Sequence, residues 1–152
     1  MDQASQLTIS GIPLGREIDM KPLPIVWQRL VSASGTTCPR CNDTGQEIQQ
    51  ALDRLKVALE PLGIEPKLET REISEEAFKA HPAESNRIWI AGKPMEDWLA
   101  GSVGSSRCCS VCGDSECRTV EVEGKMFETI PESLVVRAAL IAASQMLDPA
   151  SG

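Results

Sequence analysis

A chain of 152 residues with 41% hydrophobic side chains can bury a core as one domain, so it does not need cross-links to fold. Lysine and arginine number 15 against 22 acids, a formal charge of -7, which argues against a nucleic-acid backbone or an anionic lipid surface as partner. Six cysteines, one histidine and no tyrosine leave sulfur as the main source of reactive chemistry.

Residues 1–21 are polar and glycine-containing and read as a loosely ordered N-terminal arm. They show no basic patch followed by an apolar run, as a secretory signal would. Residues 22–152 read as a single domain. From Pro22, PLPIVWQRLV is an apolar run suited to a buried strand. After TTCPRC, residues Ile48, Leu52, Leu55, Leu59 and Leu62 draw one apolar stripe down a helix that Pro61 and Gly63 end.

IEPKLETREI alternates like a half-buried strand, and Pro66 points to an edge or a bulge. SEEAFKA opens with Ser74 as helix cap and two acids in the first turn, and Pro82 in HPAES breaks it. RIWIAG is a short strand ending in a Gly-Lys-Pro turn, and MEDWL another turn of helix. GSVGSSR has the composition of a flexible linker, so residues 101–118 read as one cysteine-rich loop. TVEVEGKMFETI is a hairpin turning at Glu123 and Gly124, and Pro131 suits the first position of the closing helix. That helix, SLVVRAALIAASQML, carries Arg137 and falls short of the roughly 20 residues needed to cross a bilayer. The order outlines an α/β sandwich, a central mixed sheet flanked by helices. Without signal or span, the expected location is the cytoplasm, where clustered cysteines usually mean metal binding or catalysis rather than stapling.

The first cysteine motif is CPRC, and a CxxC soon after the first strand of a βαβ unit reads as a thioredoxin-like motif. If the helix starts at the motif, its unpaired N–H groups and dipole favour thiolate at Cys38, the attacking sulfur, with Cys41 as resolving thiol. Arg40 adds a positive charge. Pro39 suits a first helical position and favours this start. Against it, Thr44 and Glu47 fit a capping box that would begin the helix later, and Gly45 inside a helix costs about 1 kcal/mol relative to alanine. CPxC is also a zinc-knuckle sequence.

The second motif, RCCSVCGDSEC, holds four cysteines in eleven residues. Cys109 and Cys112 with Gly113 form a CxxCG knuckle, and Cys117 lies five residues further on. Three such thiolates make a partial site for zinc, an iron–sulfur cluster or a soft metalloid ion of the arsenic or mercury type. Cys108, Cys38 or Cys41 could supply the fourth ligand. The same residues could instead be a second redox pair exchanging with CPRC, or close the loop as structural disulfides. Asp114 and Glu116 read as loop-solvating charges. His81 reads as a helix-end residue, and Trp27, Trp89 and Trp98 read as core.

Together IVWQRLV, TTCPRC, NRIWIAGKPMEDWL, CCSVCGDSECRTVEVEGK and ETIPESL resemble an uncharacterised prokaryotic family, a domain of unknown function grouped with thioredoxin-like proteins. The resemblance runs from about Pro22 to Met146. It implies a thioredoxin-like fold and supplies no substrate. Where thioredoxins carry a cis-proline before the third strand this chain has Ser85-Asn86-Arg87, and Thr37 replaces the tryptophan before the first cysteine. The expected function is thiol–disulfide exchange, an oxidoreductase activity on protein thiols and disulfides. The alternative is non-enzymatic binding of a soft metal or metalloid ion, and a third reading is an interaction protein held by structural zinc.

Overall fold

The computed structural model describes residues 20–31, 39–107 and 116–147, with residues 39 and 40 described for their backbone alone. Most of the N-terminal arm therefore lies outside the described residues. Lys21, placed in the arm from sequence, already belongs to strand β1 (Lys21–Leu30).

Helix α1 (Pro39–Leu59) follows, and a 3-10 turn (Glu60–Leu62) carries the chain into β2 (Ile64–Ile73). Gly63 makes that reversal at φ 71, the left-handed region glycine enters without a Cβ penalty. Ile48, Leu52, Leu55 and Leu59 are buried as the stripe predicts. Leu62 is 45% exposed, because the switch to the tighter 3-10 turn rotates it off the stripe.

β2 lies parallel to β1 and forms one edge of a four-stranded sheet, as Pro66 suggests. Short helix α2 (Glu75–Ala80) is capped by Ser74, whose hydroxyl accepts from the Ala77 N–H at 3.1 Å. A 3-10 connector (Pro82–Glu84) leads to β3 (Arg87–Ile90), antiparallel to β1 on its other side. Positive-φ residues Ala91 and Gly92 turn the chain into β4 (Lys93–Pro94), so Lys-Pro is strand and not turn. The sheet order is β2-β1-β3-β4. Its inner face presents Leu23, Ile25, Trp27, Ile88 and Ile90 to the core, where α1 and the last helix pack.

After α3 (Met95–Trp98) comes the largest departure from the sequence reading. GSVGSSR is no linker: Ser102–Arg107 is strand β5, paired antiparallel with β6 (Glu116–Val122). The expected loop 101–118 is therefore strand at both its ends. β5 is an exposed edge strand held by its backbone ladder, so it carries no hydrophobic alternation. Its glycines belong to close approach: a Cβ on Gly104 would stand 3.0 Å from Thr119 Oγ1. β7 (Lys125–Phe127) completes the hairpin through Glu123 and Gly124, both at positive φ as expected. The closing helix α4 (Glu132–Met146) starts one residue later than predicted, with Pro131 as its cap residue at ψ 153.

The tryptophans divide. Trp27 is core. Trp89 lies half-buried on the sheet's outer face beneath the guanidinium groups of Arg87 and Arg71, 4.6 and 5.8 Å from its ring centre. Trp98 is half-buried, donates to the Ile90 carbonyl at 2.7 Å and lies under Lys93. Expecting core at Trp89 missed that β3 alternates between a covered and an open face, whereas Trp98 does pack against the core from α3.

Gly45 sits inside α1 because the Trp27 ring lies against it. A Cβ there would come within 2.6 Å of the ring's Cη2 atom. Gly45→Ala therefore gains about 1 kcal/mol of helix propensity and loses more to overpacking, a net destabilisation of about 1–2 kcal/mol read as a lower urea midpoint. A more stable alanine variant would show that the ring can yield.

Candidate thiol site

α1 begins at Pro39, the residue after Cys38, so the early start is the correct one. Cys41 stands in its first turn, 3% exposed and part of the core. No acidic residue occupies that first turn, whereas α2, α3 and α4 all carry one in theirs. The positive end of the α1 dipole is therefore not offset by a carboxylate of its own.

Thr44 and Glu47, the expected capping box of α1, serve other donors. The Thr44 hydroxyl accepts from the Ile130 backbone N–H at 3.1 Å and from Asn86 Nδ2 at 3.0 Å. Glu47 accepts from the Glu132 N–H at 2.6 Å, one of the unpaired donors at the start of α4. Asn86 Oδ1 in turn accepts from the Trp27 indole at 3.0 Å. These buried bonds tie β1, the first turns of α1, the connector and the lead into α4 together. Asn86 holds its place at φ 53, a left-handed conformation asparagine tolerates better than most residues. Sequence reading noted Asn86 only as the absence of a proline. Its burial and partners come from elements far apart in the chain.

On the other side of the connector, Arg118 of β6 donates to the Ala83 carbonyl at 2.8 Å and forms a buried ion pair with Glu96. Burial pushes the Arg118 guanidinium below its ordinary range, and the Glu96 carboxylate opposes that push. Its sequence neighbour Cys117 is also buried, facing Ser106 across the β5–β6 ladder. The connector, residues 82–86, thus meets α1 one turn past Cys41 and β6 one residue past Cys117. Nothing in the sequence marked Arg118 or Glu96, since one exposed-type charge looks like another until its burial is known.

Of the sequence-predicted site residues, Cys38, Cys108, Cys109 and Cys112 lie outside the described residues, as does Asp114. Cys41 and Cys117 are within them and are not joined to each other. Cys41 is a buried thiol. Among the described residues there is no cluster of three or more cysteine, histidine or acidic side chains able to hold a metal. His81 caps the end of α2, its N–H bonded to the Ala77 carbonyl, as expected of a helix-end residue. No helix among the described residues is long and apolar enough to cross a membrane.

Beside the start of α1 the sheet's inner face stays partly uncovered. A cleft of about 430 Å³ opens there between Trp27 and Arg29 of β1, Leu68 and Thr70 of β2, and Asn42, Gln46 and Gln49 of α1. Arg29 lies over the Trp27 ring at 4.8 Å and reaches Glu72 only at 3.8 Å.

Removing the Glu96 carboxylate would leave the Arg118 charge buried and uncompensated. Glu96→Ala is expected to cost about 3–5 kcal/mol in chemical denaturation, while a double Glu96→Leu, Arg118→Met replacement recovers most of it. Equal losses in both variants would mean that packing, not charge, holds the junction.

The comparisons with known proteins point to a domain of unknown function. The model of a domain of unknown function, DUF2703, matches residues 23–139. An uncharacterized protein of Archaeoglobus fulgidus is 44% identical over 113 residues, covering 74% of this chain and 82% of that protein. No solved structure matches the chain. A family match spanning most of the folded region settles the affiliation: the chain belongs to the DUF2703 family.

Proposed function

We propose that this protein is a thioredoxin-like, cytoplasmic thiol–disulfide exchange protein that works through Cys38 and Cys41. Cys108, Cys109, Cys112 and Cys117 serve as partner thiols. The observation that carries the reading is the start of α1 at Pro39 with Cys41 buried in its first turn. A first helical turn without acidic residues favours thiolate at the preceding cysteine. The βαβ unit formed by β1, α1 and β2 is the setting in which a CxxC reads as a redox pair.

In the reaction the Cys38 thiolate attacks one sulfur of a disulfide, forming a mixed disulfide and releasing the other sulfur as thiolate. Cys41, as thiolate, then attacks Cys38. The Cys38–Cys41 bond forms, the second substrate sulfur leaves, and two electrons have passed from the protein to the substrate. Burial of Cys41 fits the resolving role, since it needs to meet only the neighbouring sulfur. Transfer of the disulfide onward to the second motif would regenerate CPRC.

A second reading, soft-metal or metalloid binding through Cys109, Cys112, Cys117 and Cys108 or a CPRC thiol, has one observation in its favour. The position before β3 holds Asn86, and no cis peptide bond occurs among the described residues. By the family resemblance, that leaves the dithiol without the proline that discourages metal binding in thioredoxins. Zinc or an iron–sulfur cluster would suit such a set.

Cys38→Ser is expected to abolish reduction of a model protein disulfide under a dithiol reductant, and Cys41→Ser to accumulate a mixed disulfide visible by intact mass. Retained turnover in Cys38→Ser would remove that residue from the mechanism. Metal analysis of anaerobically purified protein decides the competition: a stoichiometric metal lost on Cys112→Ser would replace the exchange reading with the binding one.

A further inference from the structure

We propose that the cleft between α1 and the ends of β1 and β2 is the substrate subsite of this thiol site, and that it takes the carboxylate-bearing flank of a small peptide disulfide. The inference rests on the exchange reading and adds to it the class of substrate.

Place is the first argument. In open α/β sheets, ligands bind in the crevice beyond the carboxyl ends of the strands. The cleft is lined by Trp27 and Arg29 near the carboxyl end of β1, and by Leu68 and Thr70, which face Ile25 and Trp27 across the parallel ladder. Its nearest helical residue, Asn42, is three residues beyond Pro39, about 4.5 Å along the helix axis. A molecule seated there reaches Asn42, the residue that follows Cys41 in the chain.

Chemistry is the second. Asn42, Gln46 and Gln49 recur at the spacing of one helix face and give the cleft three side-chain amides, each both donor and acceptor. A peptide backbone needs that mixture, because every residue offers an N–H and a C=O. Arg29 is the one cation among the described residues of the lining. It is held flat over Trp27 at 4.8 Å, and its acidic neighbour Glu72 is 3.8 Å away with a side chain 63% exposed, beyond good hydrogen-bond distance. A guanidinium held by a ring and only loosely engaged by a carboxylate suits a second carboxylate bound edge-on. Trp27 and Leu68 supply the apolar floor.

Gly45 also belongs to the lining. The absence of a side chain there lets Trp27 lie against the helix and keeps the cleft floor low. The protein is acidic overall, so an anionic substrate is drawn by this local cation against the general field. Recognition is therefore short-ranged and selective for a carboxylate that can reach Arg29.

During turnover the Cys38 thiolate opens the substrate disulfide as described above, with the bound half retained in the mixed disulfide and the other half leaving as thiolate. The closing attack by Cys41 then releases the bound half as a thiol. The substrate is the oxidant and the reduced CPRC dithiol the reductant.

The test compares two cystine-linked dipeptides, one with free C-terminal carboxylates and one amidated, as substrates of the reduced full-length protein. The carboxylated probe is expected to have the lower KM, and Arg29→Gln to raise its KM about tenfold with little effect on the amidated one. Glu72→Gln, which frees Arg29, should leave the carboxylated KM unchanged or lower it. A thioether analogue of the carboxylated probe, which cannot exchange, should bind the Cys38→Ser variant and lose about tenfold in affinity on Arg29→Gln, measured by calorimetry. Equal handling of both probes, or an Arg29→Gln effect that ignores the carboxylate, overturns the subsite while exchange stands. Thioether binding that depends on Arg29, in a protein that reduces no disulfide, would keep the cleft and overturn the exchange chemistry.

Discussion

The hydrogen-bond chain from the Trp27 indole through Asn86 to the Thr44 hydroxyl and the Ile130 N–H holds the rest of the molecule in register. Each link crosses from one element to another distant in sequence. Because the groups are buried, an unmet donor or acceptor there would cost about 1–3 kcal/mol, so the set behaves as a unit. Asn86 is its hub. Its amide offers acceptor and donor in opposite directions, and its tolerance of positive φ lets the connector turn just before β3. A residue lacking either property would leave Trp27 or Thr44 unsatisfied.

That arrangement explains a curious exchange of roles at the helix ends. The side chains that look like caps of α1, Thr44 and Glu47, stabilise the approach to α4 and its first turn. Arg54, further along α1, pairs with Glu132 at the same place. α1 thus lends its polar groups to its neighbour, and the two helices are docked by charge as well as by their apolar faces. The first turn of α1 keeps no carboxylate of its own. A thiolate just ahead of that turn would meet no opposing charge from it, which is the electrostatic condition an exchange site needs.

The connector also fixes the start of β6. Through Ala83 and the buried Arg118–Glu96 pair it binds β6, the strand that begins with Glu116 and Cys117. A buried ion pair is a poor source of net stability but a strict one for geometry, since neither charge can move away from the other cheaply. Residues 82–86 therefore join α1 near Cys41 to β6 near Cys117.

How much of this was legible depended on whether a signal was local. The α1 stripe, the Ser74 cap, the Pro66 edge and the Glu123-Gly124 turn were read correctly, because each is set by side chains a few residues apart acting on their own backbone. The clustering of sulfur was likewise plain from spacing alone. What only the tertiary structure decided was everything that needed a partner from elsewhere. Ser102–Arg107 became a strand because β6 supplied a ladder, and Gly45 was retained because Trp27 lies against it. Glu47 met the first N–H of a helix 85 residues away and Thr44 the Ile130 N–H just before that helix, and Arg29 came to line a cleft. Backbone preference is written residue by residue, but a hydrogen-bond partner or a ring in contact is a fact about two places in the chain, and one sequence read along its length records only one of them at a time.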